Sequence, residues 1–152
     1  MAALIQDRNT PQAIGDMREG PVAAATLIYA GAIVMRDASG DLNDGATATG
    51  LVGVGRAEKR ADNAGGSAGD VTAKYRAGIF RFANSTSTDE IGNEDSGKPC
   101  YAVDDQTVAL TDGSGTRSIA GFVDHVDARG VWVRFDEALV QTYLAGITEP
   151  AA

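Results

Sequence analysis

The sequence is poor in the residues that form covalent cross-links and metal sites. It has one cysteine, Cys100, and one histidine, His125, in 152 residues. A single cysteine excludes an intrachain disulfide, and these two residues are too few for a zinc site. We expect an inert, buried thiol at Cys100 and a structural role for His125. The sequence therefore predicts no metal site and no cofactor.

Aromatic residues are also few, at 6%, whereas the chain holds 26 alanines and 19 glycines. Such small side chains predict a thin core with many tight turns, which favours support from neighbouring subunits. Hydrophobic residues make up 43% and charged residues 22%, which are ordinary values for a folded protein. The length fits one domain.

No stretch is apolar enough to suggest a membrane span. The longest uncharged run, 20–35, has 16 residues and is interrupted by Pro21, Thr26 and Gly31, whereas a spanning helix needs roughly 18. The N-terminus lacks the basic flank and apolar run of a signal peptide. A pI near 4.5 argues against nucleic-acid binding through phosphate neutralisation. We therefore expect synthesis in the cytosol, with no membrane and no nucleic acid as partner.

Charge is unevenly distributed between the two halves of the chain. Residues 1–76 carry 8 basic and 9 acidic groups, whereas residues 77–152 carry 5 and 12. One interpretation is a solvated acidic surface. The other is that the first half meets a partner while the second half faces water.

Residues 1–20 are predicted to form an N-terminal arm. Chain breakers lie at 8–11 (RNTP) and 19–21 (EGP), and the stretch between them has no clear period. Pro11 and Pro21 favour extended geometry in the residues before them. Two interpretations stay open: a frayed terminus, and an extended arm that lies on another subunit.

Residues 21–135 are predicted to form a β-domain, because short β-rich segments alternate with Gly, Asp and Asn turns. In the predicted strand 51–60, Gly53, Gly55 and Ala57 share one face, which could admit a closely packed neighbour. The segment 71–82 alternates as a half-buried strand but changes phase at Gly78, which predicts a bulge there.

Three further segments complete the predicted β-domain. The polar stretch 84–99 is predicted to be a surface loop. Residues 101–103 pair with 107–110 in one predicted hairpin, and 119–126 pair with 131–135 in another, whose connection ends on Gly130.

Residues 136–152 are predicted to form a C-terminal helix and tail. Asp136 can cap the helix, and an apolar stripe at helical spacing follows it, formed by Leu139, Val140, Tyr143, Leu144 and Ile147. The stripe is expected to dock on the protein's own sheet; a partner helix is the alternative. The predicted fold is all-β: a small antiparallel barrel or sandwich with an extended N-terminal arm and one short C-terminal helix.

Candidate chemical motifs are weak. The segment 53–58 (GVGRAE) begins like a dinucleotide fingerprint but lacks the third glycine and the following helix. The spacing of Asp37, Ser39, Asp41 and Asn43 is similar to a calcium loop, but Leu42 and Ala48 replace the turn glycine and the bidentate glutamate. No Gly-x-Ser-x-Gly elbow is present for a nucleophile. We therefore predict that the protein is not an enzyme.

A series of segments occurs in order along residues 8–135. They are RNTP (8–11), PVAA (21–24), IYAGA (28–32), VGRAE (54–58), DNAGG (62–66), GIFRFANS (78–85), VDDQTVA (103–109) and GVWV (130–133). In this order they resemble small head proteins of Mu-like tailed bacteriophages. The acidic insert 89–95 and the C-terminal helix depart from the pattern.

The resemblance implies a structural virion protein, a decoration or cement subunit on the exterior of the phage capsid. Such subunits often sit as homotrimers at threefold-type positions, where they bind the major capsid protein and stabilise the shell against internal DNA pressure. We assign eight residues as candidate contacts with the capsid or with other subunits: Arg8, Asn9, Thr10, Pro11, Arg56, Arg60, Lys74 and Arg76.

Two alternatives stay open. The protein could belong elsewhere in the virion, as a turret, spike or head–tail component. It could also be a small hydrolase or carbohydrate-binding β-module that stacks sugars on Tyr29, Tyr75, Tyr101 and Trp132, although core packing competes for these rings.

Overall fold

The computed structural model describes residues 2–148, with side chains described as far as Gly146. Within this range the chain forms twelve strands, two short 3-10 helices (Ser87–Asp89 and Asn93–Asp95) and one α-helix. The elements are β1 (Met17–Pro21), β2 (Thr26–Ile28), β3 (Ile33–Arg36), β4 (Leu42–Asp44), β5 (Val52–Ala57), β6 (Ala61–Asn63), β7 (Thr72–Arg76), β8 (Gly78–Asn84), β9 (Pro99–Ala102), β10 (Thr107–Ala109), β11 (Ile119–Asp127), β12 (Gly130–Phe135) and α1 (Glu137–Thr148).

The first half of the chain builds a five-stranded sheet in the order β1-β7-β5-β3-β4, with antiparallel neighbours throughout. A small two-stranded sheet, β2-β6, covers one face. Between them lies an apolar core that includes Val22, Ile28, Val34, Leu42 and Val54. Burial of these side chains is the main force that holds the two sheets together.

The second half closes into a small barrel in the order β10-β8-β12-β11-β9. Its neighbours are antiparallel except β8 and β10, which pair in parallel. The barrel core includes Phe82, Val131, Val133 and Phe135, with the Phe82 and Phe135 rings edge to face at 5.7 Å. The all-β prediction is confirmed, as are the two predicted hairpins, β9–β10 and β11–β12.

The sheet and the barrel approach each other closely at Gly53. A Cβ atom on this residue would lie 1.8 Å from the backbone oxygen of Ala120 in β11. A Cβ on Gly55 would lie 2.3 Å from the backbone oxygen of Arg76. The prediction that the glycine face of β5 admits a close neighbour is therefore confirmed, and only glycine fits at these positions.

The predicted bulge at Gly78 is wrong. The chain leaves the five-stranded sheet after Arg76 and enters the barrel at Gly78, which pairs with Phe135. Gly78 has φ +142°, a conformation that residues with a side chain rarely adopt. The change of phase in the sequence therefore marks the point where β7 of the sheet ends and β8 of the barrel begins.

The polar stretch 84–99 is not a simple surface loop. Ile91 is buried in the barrel core. Asn84 fixes it there, since its amide nitrogen donates to the Ile91 carbonyl at 2.8 Å and its Oδ1 accepts from the Ile91 N–H at 2.9 Å. The polar stretch 84–99 thus contributes a core side chain to the barrel.

Helix α1 begins as the sequence predicted. The Leu139 N–H donates to the Asp136 carboxylate at 3.1 Å, which caps the helix. Val140 is fully buried against Val52, Ile119 and Phe122, and Leu144 packs on the same cluster. The prediction that the apolar stripe docks on the protein's own β-structure is confirmed for these two side chains. The Ile147 side chain lies outside the described residues.

The unpaired N-terminal segment is shorter than the predicted arm of residues 1–20. Residues 17–20 belong to β1, which pairs with β7 from Met17↔Arg76 to Pro21↔Thr72. Residues 2–16 form no strand or helix, and we refer to them below as the arm.

Candidate interaction surface

The arm presents apolar side chains to water. Every residue from 2 to 16 is exposed. Leu4 is 70% exposed, Ile5 96% and Ile14 86%. Isolated surface apolar residues are common, but three on one short unpaired segment make the arm a candidate surface for contact with a partner.

The base of the arm is held by an ion network. Arg76 donates through Nη1 to the Asp16 carboxylate and through Nε to Glu58 at 3.0 Å. Glu58 also accepts from Arg56. Hydrogen bonds from Arg56 and then Arg76 lower the pKa of Glu58, and the bond to Glu58 raises the pKa of Arg76. The Ala77 N–H donates to the Asp16 carbonyl at 3.1 Å, so the arm leaves the body at a fixed point.

The eight predicted contact residues fall into three places. Arg8, Asn9, Thr10 and Pro11 lie on the exposed arm and form no hydrogen bond or ion pair with other described residues. The structure joins Arg56 and Arg76 through Glu58.

The remaining two basic candidates are exposed on the body. Arg60 lies 3.9 Å from Asp62 and its guanidinium is 5.4 Å from the centre of the Tyr29 ring. Lys74 projects from β7. No described contact connects either of them, or the Arg56–Glu58–Arg76 network, to residues 8–11.

The motif that resembles a calcium loop is a self-contained turn. Asp37 accepts from the Ser39 N–H at 2.9 Å, the Asp41 N–H at 3.0 Å and the Asn43 amide at 3.0 Å. Its carboxylate oxygens are therefore used by the loop itself. Within residues 2–148, no group of three or more His, Cys, Asp and Glu side chains is placed to hold a metal ion.

His125 belongs to a surface ladder of side chains across three strands. It stacks on Trp132 with ring centres 5.3 Å apart, and its Nδ1 lies 2.7 Å from Asp124. On the other side of Trp132, the Arg81 guanidinium is 5.8 Å from the ring centre. The indole N–H donates to Asp127 at 2.8 Å. Side chains from both neighbouring strands thus pack against the Trp132 ring.

The other aromatic rings considered for sugar stacking are also engaged. Tyr75 is buried, and its hydroxyl accepts from Arg36 at 2.8 Å. Tyr101 is half-buried beside the core cluster of Val140. Tyr29 is 54% exposed but lies next to the Arg60 guanidinium. These four rings do not form a shared, open platform.

Sequence reasoning missed a groove beside α1, which we call the α1 groove. It has a volume of about 600 Å³. We define it by Leu51, Val52, Tyr101, Ile119 and Leu144 on its floor and Asp112 on its rim. The floor residues come from four separate parts of the chain, so no local pattern indicates the groove. The apolar stripe of α1 was the one available signal.

Cys100 lies in the interior of the barrel. Its side chain is fully buried, and its Sγ lies 3.6 Å from the Gly121 carbonyl. Burial raises the pKa of the thiol to about 12. The thiolate is the reactive form, and a typical free thiol has a pKa near 8.5, so Cys100 is unreactive at neutral pH as the sequence predicted.

We expect native protein to resist thiol labelling at pH 8. Because the pKa of Cys100 is about 12, the thiolate is about four orders of magnitude less populated than the thiol at that pH. Ellman's reagent should give no signal with folded protein and one thiol per chain after unfolding in guanidinium chloride. An Ala128→Cys variant, with its extra thiol in an exposed turn, should label at once. Rapid labelling of the native wild type contradicts the assignment.

Comparison with known proteins found no match: no family model, no curated protein and no solved structure matches the chain. None of the helices in the described part of the chain is both long and apolar enough to cross a membrane.

Proposed function

We propose that the protein is a structural virion protein, a decoration or cement subunit that binds the outside of a phage head. The observation that carries the proposal is the arm: residues 2–16 are exposed, and Leu4, Ile5 and Ile14 have no packing partner on the body. The resemblance of residues 8–135 to small head proteins of Mu-like phages supports the same role. The partners are the major capsid protein and further copies of this chain as a homotrimer.

The body suits a subunit that must resist load. A closed barrel leaves no free strand edges, and the five-stranded sheet is pressed against it at Gly53. The arm is anchored at its base by Asp16 and Arg76. A folded body with an anchored arm that exposes apolar side chains can bridge two neighbouring subunits. This role requires no catalytic residue.

The lattice of a capsid explains why weak contacts suffice. Each contact is repeated many times around a symmetric shell, so binding at one site raises the effective concentration at the next. A subunit that binds only the mature lattice stabilises that lattice by mass action. The role therefore needs modest affinity from the arm and high copy number.

Arm variants test the proposal. In a double variant, Leu4→Asp with Ile5→Asp, we expect attachment to heads lacking the protein to weaken at least about tenfold. The reason is that burial of each such side chain contributes about 1.5–3 kcal/mol. Co-sedimentation of full-length protein with purified heads gives the affinity. The matched control, Ala2→Asp with Ala3→Asp, adds the same charge to the arm and keeps its large apolar side chains, so it should bind nearly as the wild type does.

Two results would overturn the proposal. One is equal binding by the arm variant and the wild type. The other is absence of the protein from purified virions by quantitative mass spectrometry. Copy number separates a decoration subunit from the alternative virion roles, because a decoration subunit is present in hundreds of copies, whereas a turret, spike or head–tail component is present in a few dozen or fewer.

A further inference from the structure

The α1 groove has an apolar floor that is left open by the part of the chain that the structure describes. Val52 and Ile119 are buried at its base, while Leu51, Tyr101 and Leu144 are half-buried along it. Its volume of about 600 Å³ lies within the ~300–1,000 Å³ range of sites that hold a compact ligand. The groove is therefore large enough for the side chains of a short peptide segment.

The rim of the groove carries an unpaired negative charge. Arg36 is paired with Glu137 at 2.7 Å and Arg117 with Asp89 at 3.2 Å, while Asp37 caps its own turn. The exposed Asp112 carboxylate takes part in no hydrogen bond or ion pair among the described residues. The rim thus offers one free acid to a basic group above the apolar floor.

The arm carries the complementary groups. Arg8 is the only basic residue between positions 2 and 16, and it has no partner among the described residues. The free arm bends at Ile5 and Gln6. If the docked arm is extended, Leu4 and Arg8 lie on one face about 13 Å apart, because alternate side chains of an extended chain point the same way. An apolar side chain and a cation on one face match an apolar floor with an acid on its rim.

We propose that the arm of one copy docks in the α1 groove of a second copy, with Leu4 on the apolar floor and Arg8 paired with Asp112. The inference rests on the proposed function for the role of the arm and names one surface that the arm binds. In the structure, every arm residue is exposed, so the arm does not occupy the groove of its own subunit.

The geometry allows such a contact to cross from one copy to the next. From Arg8 to the start of β1 at Met17, an extended chain spans about 30 Å. That length is about twice the ~15 Å radius of gyration expected for a chain of this size. An arm that binds a different patch on its neighbour makes a head-to-tail contact, which closes into a ring when the rotation per subunit allows it. A threefold ring of this kind is a homotrimer.

A charge exchange in the full-length protein tests the inference. For the wild type, we expect the average mass in sedimentation equilibrium to rise with concentration. Arg8→Asp and Asp112→Arg alone should each weaken association about five- to tenfold, because each places like charges together. The double variant, which restores an opposite-charge pair, should recover to within about threefold of the wild type.

A second variant controls for the change in the net charge of the protein. The protein has a net charge of −8, so Asp112→Arg reduces the net repulsion between copies and should strengthen any non-specific association. Glu90→Arg makes the same charge change at an exposed residue that does not line the groove. Weaker association in Asp112→Arg but not in Glu90→Arg supports the inference. Circular dichroism and melting curves establish that each variant is folded.

Three outcomes would overturn the inference. The first is a protein that stays monomeric up to about 1 mM. The second is association that neither single variant weakens. The third is a monomer whose binding to heads is reduced by Asp112→Arg, because the groove then binds a capsid segment and not a second copy. That last result contradicts docking between copies but not the proposed decoration role. Absence of the protein from virions contradicts the decoration role but not docking between copies.

Discussion

Gly53→Ala is expected to lower the free energy of unfolding by about 4 kcal/mol. The added Cβ would lie 1.8 Å from the Ala120 oxygen and 2.7 Å from the Ala120 Cα. Both neighbours are backbone atoms of β11, so no side-chain rotation can make room. The five-stranded sheet must separate from the barrel, and the core cluster that holds α1 must open with it. Urea denaturation followed by circular dichroism gives the change.

A second glycine serves as the control for Gly53. Gly65 lies in the Gly-rich loop after β6, and nothing lies within 4 Å of a Cβ placed on it. Gly65→Ala should therefore leave stability unchanged or raise it by up to about 1 kcal/mol, because alanine restricts the unfolded chain. Equal stability of the two variants would show that the sheet and the barrel do not meet at Gly53.

Asn63→Ala is expected to lower the free energy of unfolding by about 2–4 kcal/mol. Asn63 is buried, and the two N–H groups of its side-chain amide serve three backbone carbonyls, so that one N–H is shared: Ala23 at 2.9 Å, Ser67 at 2.9 Å and, at the longest distance, Val22 at 3.3 Å. Alanine leaves these carbonyls without their donor and creates a cavity beside them. The melting temperature should fall by about 10 °C, measured by differential scanning calorimetry.

Asn93→Ala is the matched control for this second variant. The Asn93 side chain is exposed and makes no described hydrogen bond, so its removal should change stability by less than about 0.5 kcal/mol. A drop as large as that of Asn63→Ala would point to a general effect of losing asparagine. A negligible change in Asn63→Ala would show that water replaces the three bonds.

Local patterns in the sequence predicted the parts of the fold that depend on neighbours along the chain. The β11–β12 hairpin follows from two apolar runs joined by a turn that ends on Gly130. The cap of α1 follows from Asp136 before an apolar stripe. The close approach at Gly53 follows from a strand face that carries only small residues.

The errors arose where distant parts of the chain decide the outcome. Residues 71–82 alternate in the same way whether they stay in one sheet or cross to another, so the passage at Gly78 resembled a bulge. β1 is exposed at four of its five residues and shows no alternation, so it was included in the arm. Ile91 is one apolar residue in a polar stretch, and only the fold reveals that it is buried.

The candidate interaction surface was also predicted only in part, because the sequence indicated the arm but not the α1 groove. Chain breakers and prolines were enough to find the arm, but the sequence left open whether it is a frayed terminus or lies on another subunit. The α1 groove could not be predicted, because its floor combines residues near 51, 101, 119 and 144 that are brought together only by tertiary packing. The role of Asn63 was also hidden, because asparagine before a Gly-rich loop is typical of a solvent-exposed turn.

The position of the arm directly before β1 determines how the molecule carries tension. In the proposed role, a pull by a neighbour on the arm would reach the body at Asp16 and Arg76 and then enter β1. A pull along the axis of β1 is a shear load, shared by five residue pairs between β1 and β7. Under a shear load, the hydrogen bonds between β1 and β7 bear the force together and do not break one after another. If the arm binds a neighbour as proposed, a pull along the axis of β1 would therefore load this junction in its strongest direction.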